Sequence, residues 1–163
     1  AVFAFTDPDA NSGRLVPLHW LQKMGRNADT FFKKSIYTYS HDNSILAVAR
    51  GLVDAAAVDS LIWDFMRKNG SPVVQETRII KRSQPFGIPP LVVSTGLEPG
   101  LRVKLQGLLL GMHTTPEGKK ILSRLRIDRF ILPKDSWYDS IRRINRTIET
   151  KGPNADRPQN PQG

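Results

Sequence analysis

Apolar residues fall in two rhythms along this chain: unbroken or alternating runs that predict strands, and runs spaced three and four apart that predict helices. Ala1–Thr6 is an apolar run stopped by Asp7-Pro8 and reads as a buried strand. After a loop of turn formers, Leu15, Val16, Leu18, Leu21 and Met24 follow at helical spacing. Pro17 suits the first turn of that helix, where a missing N–H costs nothing, and Gly25 ends it. Asp29 or Thr30 caps a short helix through Phe31 and Phe32. Ser35–Ser40 alternates, is rich in β-formers and predicts a second strand. Asp42–Arg50 is helical and closed by Gly51. Val53–Val58, apolar apart from Asp54, predicts a third strand covered on both faces. Ser60–Lys68 is a helix. Glu76–Lys81 and Leu91–Ser94 predict two more strands around a Pro/Gly-rich stretch, and three helices follow at Pro99–Met112, Pro116–Leu125 and Asp135–Thr150. The tail from Lys151 has no core formers and is expected to be disordered.

Strand–helix units repeated in this order predict an α/β layered fold with a largely parallel sheet flanked by helices. In such sheets ligands sit beyond the carboxyl ends of the strands, where loops enter helices. Here those loops are Thr6–Gly13, Ser40–Ser44 and Asp59–Ser60, all enriched in small polar groups.

Composition narrows the picture. A chain of 163 residues holds one ordinary domain, or one lobe and part of another. With 39% hydrophobic and 24% charged residues it is balanced like a globular protein. Zero cysteines exclude disulfides, thiolate metal sites and cysteine nucleophiles. The charge of +9 lies wholly in the second part, since six basic and six acidic residues cancel over 1–60. Ala1 opens directly on a strand-like run, so the sequence is expected to be a fragment of a longer chain.

Three groups could carry chemistry. Asp9-Ala10-Asn11-Ser12-Gly13 precedes a helix whose first N–H groups are free, and Asn11, Ser12 and Gly13 would let an oxyanion approach them; the plain alternative is that Asn11 or Ser12 caps the helix. His41, directly after the second strand, could donate to the same anion or be a surface histidine. Asp59-Ser60, after the third, could accept a ligand proton or cap a helix. His19, His41 and His113 lack the close spacing of a metal site, and no nucleophile elbow, Walker loop or dinucleotide fingerprint is present. No metal, cofactor or catalytic set is therefore expected, and the chain is expected not to be an enzyme. The basic C-terminal helices allow nucleic-acid binding as a minor alternative, but rings for base stacking are sparse and no nucleic-acid partner is expected.

Several of these runs resemble one family. Phe5-Thr6-Asp7-Pro8-Asp9-Ala10-Asn11-Ser12-Gly13-Arg14-Leu15-Val16-Pro17 is similar to the ligand loop of the phosphate/phosphite/phosphonate substrate-binding proteins of ABC transporters. Tyr39–Val48, Gly51–Ala56, Ser83–Val93 and the helices from Glu117 resemble later parts of the same family, over about residues 1–147. Ala10 and Asn11 stand where the family often has hydroxyl residues.

The resemblance implies one lobe of a type II periplasmic-binding fold plus C-terminal helices of the other lobe, as a fragment lacking the N-terminal lobe segment. The implied division is a ligand-binding lobe over 1–94, returning helices over 95–150 and a tail over 151–163. It implies a phosphonate-, phosphite- or phosphate-like ligand bound by lobe closure, at a site drawn from Thr6, Asn11, Ser12, Gly13, His41, Asp59 and Ser60. The implied partner is the membrane permease of an ABC importer, at a periplasmic or cell-surface location. Self-association of the fragment is also expected. The alternative on the same fold is a periplasmic ligand-sensing domain of a signalling receptor.

Overall fold

The computed structural model describes residues 1–149, and the sequence-predicted tail lies outside them. The chain divides into two compact units, Ala1–Pro85 together with the chain from Asp139, and Phe86–Tyr138. The sequence expectation set the division at residue 94 and grouped the last helix with the two before it.

The first unit is built on a three-stranded parallel sheet in the order β2-β1-β3, with β1 at Val2–Phe5, β2 at Lys34–Tyr37 and β3 at Ala55–Ala56. Alternation along β1 sends its side chains to opposite faces. Phe3 and Phe5 pack with Leu21 and Ala28, joined by Leu18, Phe32 and Tyr37. Ala4 packs on the other face with Ala47 and Val53. Phe3 stacks on Phe32 with ring centroids 4.4 Å apart.

The first crossover starts with one π-turn, Asn11–Leu15, continuous with α1 (Val16–Lys23) and followed by α2 (Ala28–Phe31). It covers the phenylalanine face. The second crossover, α3 (His41–Ala49), covers the Ala4 face through Ala47. Two short neighbours, α4 (Ser60–Lys68) and α5 (Pro72–Gln75), pack on α3. The predicted helix at Ser60 thus forms, yet none of its residues is buried.

The third strand is shorter than the predicted Val53–Val58. Val53 turns back to bond the Ala47 carbonyl, and only Ala55 and Ala56 hold full register with β1. Asp54, the polar residue of the run, accepts from the Val2 N–H at 2.6 Å.

The predicted strands Glu76–Lys81 and Leu91–Ser94 do not form: no ladder involves them among the described residues. Extended chain becomes a strand only when a neighbouring edge supplies hydrogen bonds. None does here, and Ile80 and Val92 are left 76% and 82% exposed. The first of these stretches is held at both ends: the Thr77 hydroxyl accepts from Trp63 Nε1–H at 3.1 Å, and the Lys81 ammonium lies 4.5 Å over the Trp20 ring.

The last helix, α8 (Asp139–Glu149), buries Ile144 and packs on α1, where the Gln22 amide donates to the Thr147 carbonyl at 3.1 Å. That contact is why it belongs with the sheet. It begins after a short 3₁₀ turn at Asp135–Tyr138, which replaces the start of the predicted helix.

The second unit holds α6 (Pro99–Gly111) and α7 (Pro116–Leu125), joined by a 3₁₀ turn. Gly118 is the pivot of that joint: a Cβ there would sit 2.0 Å from the Met112 carbonyl oxygen, so only glycine lets the helix start close in. Leu122 is buried beneath it, whereas Leu101, Val103 and Leu108 of α6 are exposed. No helix among the described residues is long and apolar enough to cross a membrane.

Phe3→Ala removes both the stacked ring and the filling of the larger cluster. We expect it to destabilise the protein by about 3–5 kcal/mol in urea unfolding, against less than about 1 kcal/mol for the exposed Leu108→Ala.

Candidate functional site

Three loops leave the carboxyl edge of the sheet, and the parallel register brings their first residues to one side. Thr38 N–H bonds the Phe5 carbonyl at 3.1 Å and Ala57 N–H bonds the Ala4 carbonyl at 3.3 Å, so the chain just past β2 and just past β3 flanks the end of β1. Because β1 is central and its crossovers depart to opposite faces, this edge is the topological switch point of the sheet.

Thr6 directly follows β1 and is fully buried. Its N–H reaches the Gly13 carbonyl at 3.3 Å, and its hydroxyl lies against the Gly13 backbone, where an added Cβ would fall 1.5 Å from Oγ1. Gly13 therefore allows the helix start to sit directly over the strand end. The Thr6 hydroxyl has no partner, and neither does the buried Asn11 side-chain oxygen. Unpaired buried polar atoms cost about 1–3 kcal/mol each; His19 Nδ1 and His113 Nδ1 are unpaired as well, and Thr6 and Asn11 stand apart in lying together at the strand-end loop.

The helix that starts at Asn11 has its first amides open. Its N-cap is Ala10, which offers no side-chain oxygen. This overturns the capping alternative for Asn11 and Ser12. Other helix starts are closed by side chains, among them Ser40 on α3, Asp59 on α4, Glu98 on α6 and Thr115 on α7, whereas the four-residue α5 after Ser71 has no side-chain cap either. The cation nearest in sequence is Arg14, whose guanidinium is turned to the Tyr37 hydroxyl at 2.9 Å and the Pro8 carbonyl at 3.1 Å.

His41 opens α3 and meets Asp59 across the edge. The Asp59 N–H donates to His41 Nδ1 at 3.0 Å. Burial holds the His41 pKa below its ordinary 6.5, against the opposing pull of the Asp59 and Asp42 carboxylates. Asp59 also accepts from Leu61 N–H at 2.8 Å, so the helix-cap reading of its carboxylate is correct. Ser60 follows, exposed, in the first turn of α4.

Of the expected site residues, Thr6 is thus joined to Gly13, with Asn11 and Ser12 in the same turn, and His41 is joined to Asp59; Ser60 faces solvent. Sequence reasoning missed Thr38, whose hydroxyl pairs with the buried Ser44 hydroxyl at 2.6 Å and fixes the entry to α3. It also missed Tyr39, which holds a left-handed φ of 59° while its ring stays exposed. The β-forming run Ser35–Ser40 hid both. Among the described residues no cluster of three or more His, Asp or Glu could hold a metal.

Two outcomes follow from this geometry. Gly13→Ala drives a methyl into Thr6, with expected destabilisation of about 1–3 kcal/mol by urea unfolding. Second, the unfolded chain takes up a proton on His41 near pH 6.5 while the folded chain resists, so the unfolded state binds more protons and stability falls as pH drops below 6.5. His19, also held low chiefly by burial, acts in the same direction. His41→Asn should flatten part of that decline in unfolding curves taken at successive pH values.

Residues 1–138 match the family model described as the periplasmic phosphonate substrate-binding protein of an ABC transporter. The chain is 26% identical over 160 residues to the phosphonates-binding periplasmic protein of Escherichia coli K12, covering 98% of this chain and 47% of that protein. It is 26% identical over 152 residues to PhnD1 of Prochlorococcus marinus MIT 9301, a probable ABC transporter phosphite-binding protein, covering 90% of this chain and 51% of that one. A structure of PhnD1 in complex with methylphosphonate superposes with a TM-score of 0.71 over 90% of this chain and 56% of that chain. A binding protein component of a Pseudomonas aeruginosa ABC phosphonate transporter, 24% identical, shares the fold with a TM-score of 0.76, over 97% of this chain and 53% of that chain. The chain thus spans about half the length of the curated relatives it matches. With its parallel sheet, its open helix start and this match over most of its length, the chain belongs to the periplasmic phosphonate substrate-binding protein family of ABC transporters.

Proposed function

We propose that this chain is the anion-gripping part of a two-lobed solute-binding protein that takes a phosphonate-, phosphite- or phosphate-like oxyanion and performs no chemistry on it. The observation that carries the reading is the uncapped helix start at Asn11 set over the buried, partnerless Thr6 hydroxyl. Oriented N–H groups at a helix N-terminus stabilise negative oxygen, and they do so more strongly away from water. A hydroxyl already stripped of solvent has paid its desolvation cost before the ligand arrives, so a bond from Thr6 to a ligand oxygen adds nearly its whole energy.

The other members follow from position. Ser12 supplies a hydroxyl and amide in the same turn, Asn11 an amide side chain, and His41 an N–H from the opposite crossover. Gly13 lets the helix start pack down on the Thr6 hydroxyl, which brings the two donors together. Asp59 contributes through its backbone to His41, and Ser60 is the outermost candidate. The set is made of neutral dipoles, which suits a ligand that must be released as well as held. Asn11 can accept as well as donate, which fits an oxyanion still carrying one proton.

In the proposed mechanism, a second lobe closes over the anion and the ligand stabilises the closed state by contacts made only there. The closed form then delivers its ligand to the membrane permease of an ABC importer, in the periplasm or at the cell surface. The names of the relatives support this ligand class and this location.

The test is calorimetric titration of the full-length protein with methylphosphonate, phosphite and phosphate. At least one should bind, and Thr6→Val and Ser12→Ala should each weaken the best ligand about tenfold, the worth of one hydrogen bond to a charged group. Absence of binding to all three, or affinities untouched by both substitutions, overturns the reading.

A further inference from the structure

We infer that the backbone amide of Asp59 is a positioning group that fixes His41 in a single tautomer, with its proton on Nε2, so that the histidine faces the ligand as a neutral, pre-aimed donor. This rests on the reading of His41 as a ligand contact.

A neutral imidazole has one nitrogen that donates and one that accepts. The Asp59 N–H points at His41 Nδ1 from 3.0 Å, which uses the lone pair of that nitrogen. The other neutral tautomer, and the imidazolium, would each place an N–H against the amide N–H, two donors head to head. Only the Nε2–H form satisfies both partners. An oxyanion oxygen accepts, so the nitrogen left outward is the one carrying the hydrogen the ligand needs.

Asp59 itself is held. Its carboxylate accepts from Leu61 N–H at 2.8 Å as the cap of α4, and it follows β3 by three residues. The amide aimed at His41 is therefore carried by the β3–α4 turn, while the imidazole is carried by the first residue of α3. The two crossovers are joined at the histidine. The charged groups facing it, Asp59 and Asp42, are both carboxylates and favour the imidazolium, so the neutral form owes its place to burial and to the amide, not to neighbouring charge.

Asp59 has a φ of −69°, which proline adopts without strain. Asp59→Pro therefore deletes the N–H, and Asp59→Ala is its matched control, since both lose the capping carboxylate and only proline loses the donor. In the full-length protein with ¹⁵N-labelled histidine at pH 7.5, the wild type and Asp59→Ala should show His41 Nδ1 as the bare nitrogen and Nε2 as the protonated one. Asp59→Pro should give averaged shifts from mixed tautomers, and its phosphite affinity should fall about tenfold below that of Asp59→Ala. The His41 resonance is assigned by its loss in His41→Asn.

A wild-type His41 protonated on Nδ1, or on both nitrogens, overturns the proposal, and that spectrum decides the matter even if Asp59→Pro does not fold. Identical tautomers in the proline and alanine variants overturn it as well. If the tautomer responds as stated while His41→Asn leaves phosphite affinity unchanged, the lock stands and the assignment of His41 to the ligand falls.

Discussion

Hydrogen bonding of β1 on both edges, in parallel, sets the rest of this structure. Parallel neighbours cannot be joined by a tight turn, so each pairing forces a crossover that returns over a face of the sheet. With β1 in the middle, one crossover covers the Phe3 and Phe5 face and the other covers Ala4. Both crossovers must start at the same edge. The starts of two helices and the turn after β3 are thereby gathered around the end of a single buried strand.

At that edge the molecule tolerates local cost. Thr6 and Asn11 each leave a buried oxygen without a partner, and the helix above them starts without a cap. The neighbouring helix starts at Ser40 and Asp59 are satisfied by side chains in the ordinary way. The contrast lies within one sheet edge, so it reflects local sequence: Ala10 precedes the first helix where a hydroxyl or carboxylate precedes the others. Packing supplies the compensation, through the two apolar clusters that pin β1 from both faces.

Much of this was legible from residues. The apolar opening run, the Ser-Gly loop with its following helix, and the Asp59 cap each have a local cause, and local causes can be read in order along a chain. Thr6 and His41 were named as site residues because they lie where strands pass into loops and helices, and Gly13 because a residue without a side chain lets a ligand come close to the backbone. What escaped was non-local. Glu76–Lys81 and Leu91–Ser94 have the side chains of strands, but strand formation belongs to a pair of segments, and neither has its mate among the described residues. Val53–Val58 was overread for the same reason, since β1 offers it register only at Ala55 and Ala56. The bond from Asp59 to His41 links residues eighteen apart through a sheet edge and carries no periodic signal. Tyr39 was masked because a β-forming residue gives no warning that it will turn left-handed.

The lysine ammonium above Trp20 has an optical side to it. Trp20 belongs to α1, and Lys81 lies on the extended chain that finds no ladder in the described residues. A positive charge over an indole face perturbs its excited state, and the effect weakens as the charge moves away and is screened by water and salt. With Trp63, which lies under the Arg67 guanidinium, and Trp137 replaced by phenylalanine, the emission of Trp20 becomes a gauge of whether that passage of chain lies against the first crossover or has lifted from it.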